Sequence, residues 1–220
     1  MDTKILAIIP AYNEQDNIVS TIEDLKTHAP WVDYVVVNDG SKDATARICR
    51  DRGYNLISLP ANLGLAGAFQ TGMKYAHRNG YDYAIQFDAD GQHSAAYIKS
   101  MVDEAKTSGA NIVIGSRFCS QKKPFSARMV GSALITAMIR LTTGRKIQDP
   151  TSGMRLESDF GPEPDTVSLL MRRGAKVTEV QVEMRDRIAG ESYLNFTKSV
   201  SYMMRMSISI LFVQWFRRKK

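Results

Sequence analysis

Tyr83-Ala84-Ile85-Gln86-Phe87-Asp88-Ala89-Asp90-Gly91-Gln92-His93 is the stretch that decides the fold. Its first five residues are apolar, β-branched or aromatic around one glutamine, as suits a short buried strand. The next residues, rich in Asp and Gly, cannot extend that strand and read as a turn. Beyond the turn, Ala95–Ser108 carries apolar residues at helical spacing. A buried strand, a polar turn and a helix in that order make the repeating unit of a parallel sheet.

The same unit recurs on both sides. Ile5–Ile9, Tyr34–Asn38, Asn55–Leu59 and Ile112–Gly115 are further strand-like runs, each followed by turn residues. Helical patterns at Glu14–Thr27, Ala44–Arg52 and Leu65–Asn79 separate them, with Ile18, Ile22 and Leu25 forming a core-facing stripe. Asn13, Ser41 and Ser94 stand where N-caps are expected. The prediction is an α/β fold with a mainly parallel, Rossmann-like sheet flanked by helices.

The second half reads differently. Phe125–Thr143 is a predicted helix, Asp149–Arg155 a turn-rich loop, Asp165–Arg173 a short helix and Lys176–Glu183 a strand. The tail from Phe196 is apolar on almost every side and ends in Arg217-Arg218-Lys219-Lys220. Residues 1–195 are therefore expected to form one domain, and 196–220 an apolar, basic helix. The stretch Met206–Phe216 is shorter than the ~20 residues a spanning helix needs, so attachment at a membrane interface is expected instead.

Composition narrows the function. With 220 residues, 44% hydrophobic and 24% charged, the chain can bury a full core and is not disordered. Cys49 and Cys119 are the only cysteines, which excludes a disulfide scaffold and suits a reducing, cytosolic compartment. No Cys-x-x-Cys is present, which argues against structural zinc. A net charge of +6 favours anionic partners, either phosphate-rich ligands or an anionic membrane surface. Nucleic acid is not expected, since no motif for it occurs.

In an open parallel sheet ligands bind beyond the carboxyl ends of the strands. The polar loops Pro10-Ala11-Tyr12-Asn13-Glu14, Asn38-Asp39-Gly40-Ser41 and Asp88–His93 all fall there. Asp88 and Asp90, two residues apart after a strand, can converge on one hard cation such as Mg²⁺ or Mn²⁺. An isolated Asp-x-Asp is equally a solvated turn; the loops around it favour the metal.

These loops, with Asn62-Leu63-Gly64 and Gly115-Ser116-Arg117, resemble the motif series of family 2 glycosyltransferases of GT-A fold. Asp149-Pro150-Thr151-Ser152-Gly153-Met154-Arg155 is similar to the branch that glycosylates dolichyl and polyprenyl phosphates. The resemblance spans about residues 4 to 206. It implies a nucleotide-sugar pocket from Pro10, Ala11, Tyr12, Glu14, Asp39, Gly64, Asp88 and Ala89, with Asp39 at the base. It implies a metal on the donor diphosphate held by Asp88, Asp90 and Gln92, and a lipid phosphate facing Arg117, Arg128 and Ser132. Asp90 and Arg117 would then carry the catalysis, and His93 would pack behind the site. The chain lacks the Glu-Asp pair and the Gln-x-x-Arg-Trp motif of sugar-accepting relatives. Between Arg155 and Pro164 it is about one helix shorter than such proteins usually are.

The expected reaction is inverting sugar transfer to a polyprenyl phosphate by a peripheral protein at the cytosolic membrane face. A UDP-sugar is the favoured donor and GDP-mannose the alternative. Two rivals stay open: transfer to a hydroxyl of a lipid-linked glycan, and a non-catalytic nucleotide-binding membrane protein. Homo-oligomer formation is also open.

Overall fold

The computed structural model describes residues 3–119, 127–158, 171 and 174–185, the side chains between 127 and 131 excepted. In chain order the elements are β1 (Ile5–Ala11), α1 (Ile18–His28), β2 (Asp33–Asn38), α2 (Thr45–Asp51), β3 (Leu56–Ser58), α3 (Gly64–Arg78) and β4 (Tyr83–Gln86). A 3₁₀ turn at Ala95–Tyr97 then leads into α4 (Ile98–Ser108), followed by β5 (Ile112–Ser116), α5 (Ala127–Thr143), β6 (Arg155–Glu157) and β7 (Val177–Gln181).

The strands form one sheet of order β3-β2-β1-β4-β6-β5-β7. β1 pairs in parallel with β2 and with β4, β2 with β3, and β5 with β7. β6 runs antiparallel between β4 and β5, placing Gln86 and Ile114 on either side of Arg155. The parallel strands therefore deliver their polar loops to a single edge.

Alternation along the strands sorts the core into two faces. Ile5, Ala7, Ile9, Ile85 and Phe87 meet Ile18, Ile22 and Leu25 of α1 and Ile98, Met101 and Val102 of α4. Leu6, Ile8, Val35 and Val37 meet Ala68, Phe69 and Met73 of α3 on the other face. Ile112 and Ile114 meet Ile135 and Ile139 of α5. Ile8 is fully buried, and truncating such a side chain costs about 2–5 kcal/mol. A Cβ on Gly72 would collide with Ile8, so glycine lets α3 lie close on β1.

The mainly parallel sheet, the five strands of the first half and their helices match the sequence reading. Two of the three caps do not. The residue before α1 is Asn17 and before α2 it is Ala44, whereas Ser94 caps the 3₁₀ turn by position, without a side-chain bond. Asn13 has φ +56° and uses its side chain to accept from the Lys42 N–H at 2.8 Å. Ser41 Oγ accepts from the Asn13 N–H at 3.0 Å. Both residues tie the β1 loop to the β2 loop, which outweighs a local cap. Arg155, expected at the end of a loop, opens β6; three residues carry too little pattern to be read as a strand. The predicted Asp165–Arg173 helix, Met171 apart, and the 196–220 tail lie outside the described residues. Among the described residues no helix is long and apolar enough to cross a membrane.

Candidate active site

Asp39 follows β2 and is 3% exposed. Its Oδ1 accepts from the Leu63 N–H at 2.7 Å and its Oδ2 from the Gly64 N–H at 2.8 Å. The carboxylate thus caps the start of α3 and holds the Asn62-Leu63-Gly64 turn against the β2 loop. Gly40, at φ +66°, makes this possible, because a Cβ there would stand 2.8 Å from the Ala61 carbonyl carbon. Gly64 also has positive φ, +79°, with open space around it. Pro10 and Ala11 are buried at the end of β1, and Tyr12 is half-buried beside them. Glu14 accepts from Asn17 Nδ2 at 2.7 Å, and its N–H donates to Thr45 Oγ1 at 2.9 Å. These bonds gather the loops after β1, β2 and β3 into one wall.

The loop after β4 is the centre of the site. Asp88 Oδ1 accepts from Gln86 Nε2 at 2.9 Å. The Asp88 N–H donates to His93 Nδ1 at 2.9 Å, so the ring's proton sits on Nε2, 3.6 Å from Asp88 Oδ2. His93 is 4% exposed and packs edge-on against Phe87. It is the packing residue behind the carboxylate that the sequence suggested. Asp90 Oδ1 accepts from the Gln92 N–H at 3.1 Å, and the Ala89 carbonyl accepts from Thr21 Oγ1 at 3.0 Å. Gln92 exchanges backbone and side-chain bonds with Arg185, whose guanidinium reaches Asp24 at 2.8 Å and Ser94 Oγ at 2.9 Å. The chain leaving β7 is thereby clasped to the Asp88–Asp90 loop.

The loop after β5 is held by a partly buried ion pair. Arg117 Nε and Nη2 donate to Asp149 at 2.7 and 2.9 Å, a two-pronged contact that the Arg117 N–H extends at 3.2 Å. The Asp149 side chain is wholly buried, whereas that of Arg117 is 31% exposed. Glu179 of β7 in turn accepts from the Gln148 and Asp149 N–H groups at 2.7 and 2.8 Å. Ser152 Oγ donates to the Gly115 carbonyl at 2.5 Å. Gly153 lies against the β4 loop, where a Cβ would stand 2.6 Å from Asp88 Oδ2. Ser132 is 1% exposed, and its Oγ has no hydrogen-bond partner among the described residues. Arg128 lies in α5, and its side chain is outside the described residues. Burial pushes the Cys119 thiol up, which makes it a poor nucleophile beside Arg117.

The sequence singled out Asp88, Asp90, Gln92, Asp39 and Arg117 and missed their partners Gln86, Asp149 and Arg155. Asp149, Gly153 and Arg155 stood in the quoted Asp149–Arg155 motif, but only the fold shows what each touches. Among the described residues no three His, Cys, Asp or Glu side chains gather in a metal-ligand group. By donor type, two carboxylates and the Gln92 amide oxygen suit a hard cation, which takes water and diphosphate oxygens in its remaining positions.

The family model for glycosyl transferase family 2 matches residues 6–160. Over 216 residues the chain is 29% identical to an undecaprenyl-phosphate mannosyltransferase of Micrococcus luteus, covering 87% of this chain and 88% of that one. Over 175 residues it is 31% identical to a UDP-N-acetylglucosamine–dolichyl-phosphate N-acetylglucosaminyltransferase of Methanococcus voltae, covering 70% and 69% of the two chains. Among solved structures, a glucosyl-3-phosphoglycerate synthase of Mycobacterium tuberculosis in complex with Mn²⁺, UDP-glucose and phosphoglyceric acid aligns with a TM-score of 0.72. It covers 96% of this chain and 79% of that one at 19% identity, a likeness of fold.

Proposed function

The chain belongs to glycosyl transferase family 2, and from that membership we propose that it transfers a sugar, with inversion, from a nucleotide-sugar to a polyprenyl phosphate. The observation that carries the reading is the meeting of the Asp88–Asp90 loop with the Arg117–Asp149 motif at one sheet edge. Relatives similar over most of the chain act, by their names, on undecaprenyl or dolichyl phosphate.

The chemistry fits the residues present. A lipid monophosphate has a second pKa of about 6 by analogy with other phosphomonoesters, so at neutral pH it is mostly a dianion. It attacks without a general base, and it needs cations to hold it. Arg117 keeps N–H groups beyond those that bind Asp149, and it takes this role with Arg128 and Ser132. Asp39 keeps a second lone pair on each oxygen for a ring N–H of the donor base. Pro10, Ala11, Tyr12, Glu14, Gly64 and Ala89 line the same pocket. A divalent cation, Mg²⁺ or Mn²⁺, held by Asp88, Asp90 and Gln92, would offset charge on the departing diphosphate. Structural neighbours crystallised with Mn²⁺ or Mg²⁺ and UDP support that choice and a UDP-sugar donor, with GDP-mannose second.

Attachment to the cytosolic face of an anionic membrane completes the reading. Leu134 and Leu141 are 52% and 83% exposed on α5. Arg140, Arg145 and Lys146 are exposed near them, and residues 127–148 contain no Asp or Glu. Such a surface suits anionic headgroups. The test is a donor screen against membrane lipid extract, with products identified by mass. A phosphodiester-linked lipid glycoside supports the reading; a product glycosylated at a glycan hydroxyl overturns it.

A further inference from the structure

We propose that Arg155 is a positioning residue for the donor-site carboxylate Asp88, acting through Gln86; the inference rests on the metal-site role given to Asp88 above. Arg155 opens β6 and sits opposite Gln86 of β4 in the antiparallel register. Cross-strand partners put their side chains on the same face, and Asp88, two residues beyond Gln86, follows on that face. The result is a row of polar side chains across the sheet. Arg155 Nη2 donates to Gln86 Oε1 at 3.4 Å, and Gln86 Nε2 donates to Asp88 Oδ1 at 2.9 Å.

The row works because of what each group can and cannot do. A glutamine amide has nearly the same shape either way round, so shape alone does not decide which end meets Asp88. With the oxygen toward Asp88, two acceptors would face each other. A guanidinium has only donors, so Arg155 draws the amide oxygen to itself and turns the NH₂ toward the carboxylate. Gln86 is 2% exposed, leaving little water to set the amide in Arg155's absence. On the far side, His93 and the close approach of Gly153 limit where Oδ2 can go. Asp88 is thereby held from both oxygens.

Packing alone does not call for an arginine at this position. Among the described residues its Nε is buried without a hydrogen-bond partner, which a strand in a core would avoid by carrying an apolar residue. β6 itself is three residues long, inserted against the direction of its neighbours β4 and β5, and its first residue is the one that reaches Gln86.

The test measures Mn²⁺ binding in the presence of UDP, by electron paramagnetic resonance of free Mn²⁺, on the full chain. Arg155→Met should weaken binding roughly tenfold, the lower end for partners that orient a metal ligand. Arg155→Lys, which keeps a donor, should recover most of it. Gln86→Leu, an apolar replacement suited to its buried site, should match Arg155→Met. In an Asp88→Ala background neither change should lower binding further, because the two residues act only through that carboxylate. Wild-type affinity in both Arg155→Met and Gln86→Leu, with Asp88→Ala defective, overturns the positioning role alone. Additive losses overturn it too, since Arg155 would then touch the ligand directly. Wild-type affinity in Asp88→Ala removes the donor-site reading on which the proposal stands.

Discussion

The two halves of the site use charge in opposite ways. On the proposed donor side, Asp39 and Asp90 are engaged by backbone N–H groups, while Asp88 takes its hydrogen bond from the Gln86 amide. These contacts shape loops and leave carboxylate oxygen for a ligand. On the proposed acceptor side the cation Arg117 is engaged by a wholly buried carboxylate, and Glu179 is spent on the backbone of the same loop. The lesson is that a charge at a strand end holds its own loop before it serves a substrate. Arg117 is therefore expected to be structural and functional at once, and Asp90 chiefly functional.

That contrast predicts different failures. The largest effect should come from Arg117→Ala, which strands Asp149 as a buried, unpaired charge. Breaking a buried pair in this way costs about 3–5 kcal/mol. In a domain of this size the melting temperature should fall by roughly 10 °C, as calorimetry would show. An unchanged melting temperature with only a raised acceptor KM would make the two halves alike. Asp90→Ala should do the reverse, cutting kcat by about 10²–10³, the scale of losing one charge-stabilising group, while melting near the wild-type temperature.

Gly153→Ala joins the halves, since its methyl would press on Asp88 from the acceptor-side loop. Nucleotide affinity in Mn²⁺ should drop by about tenfold, or ~1.4 kcal/mol, when measured by calorimetry. Full affinity would mean that the two loops move independently.

The smallest effect is a control from the opposite edge of the sheet. Burial, then the hydrogen bond to Asp33, push the Tyr81 hydroxyl from 10.0 up to about 12. The fold thus favours the neutral phenol. Its contribution to stability is intact below pH 10 and is lost as pH rises from 10 to 12. Tyr81→Phe should flatten denaturation midpoints across that window and leave transfer unchanged.

The loops of the proposed donor half were legible in the sequence because their code is local. A strand ending in Asp88-Ala89-Asp90, or in Asn38-Asp39-Gly40, states both the fold and the sheet edge that gathers the polar loops. The acceptor half was legible only in part. Arg117 and the Asp149–Arg155 motif could be quoted, but their pairing joins residues 32 apart. The Gln86–Arg155 contact joins residues 69 apart across a strand too short to announce itself. The misplaced caps have a related cause. Asn13 and Ser41 carry cap-type side chains, yet each spends its side chain on the neighbouring loop, since two loops that build one pocket need the bond more than a helix end does.

The central claim, that a lipid phosphate is the nucleophile, is tested most directly by pairing two acceptors. The full-length protein would be given a UDP-sugar or GDP-mannose with Mn²⁺, and either polyprenyl phosphate or the matching polyprenol. Transfer would be read by mass as the lipid glycoside. The account predicts a phosphodiester product from the phosphate and none from the alcohol, because no residue is assigned to deprotonate a hydroxyl. Equal rates with the two lipids would contradict it.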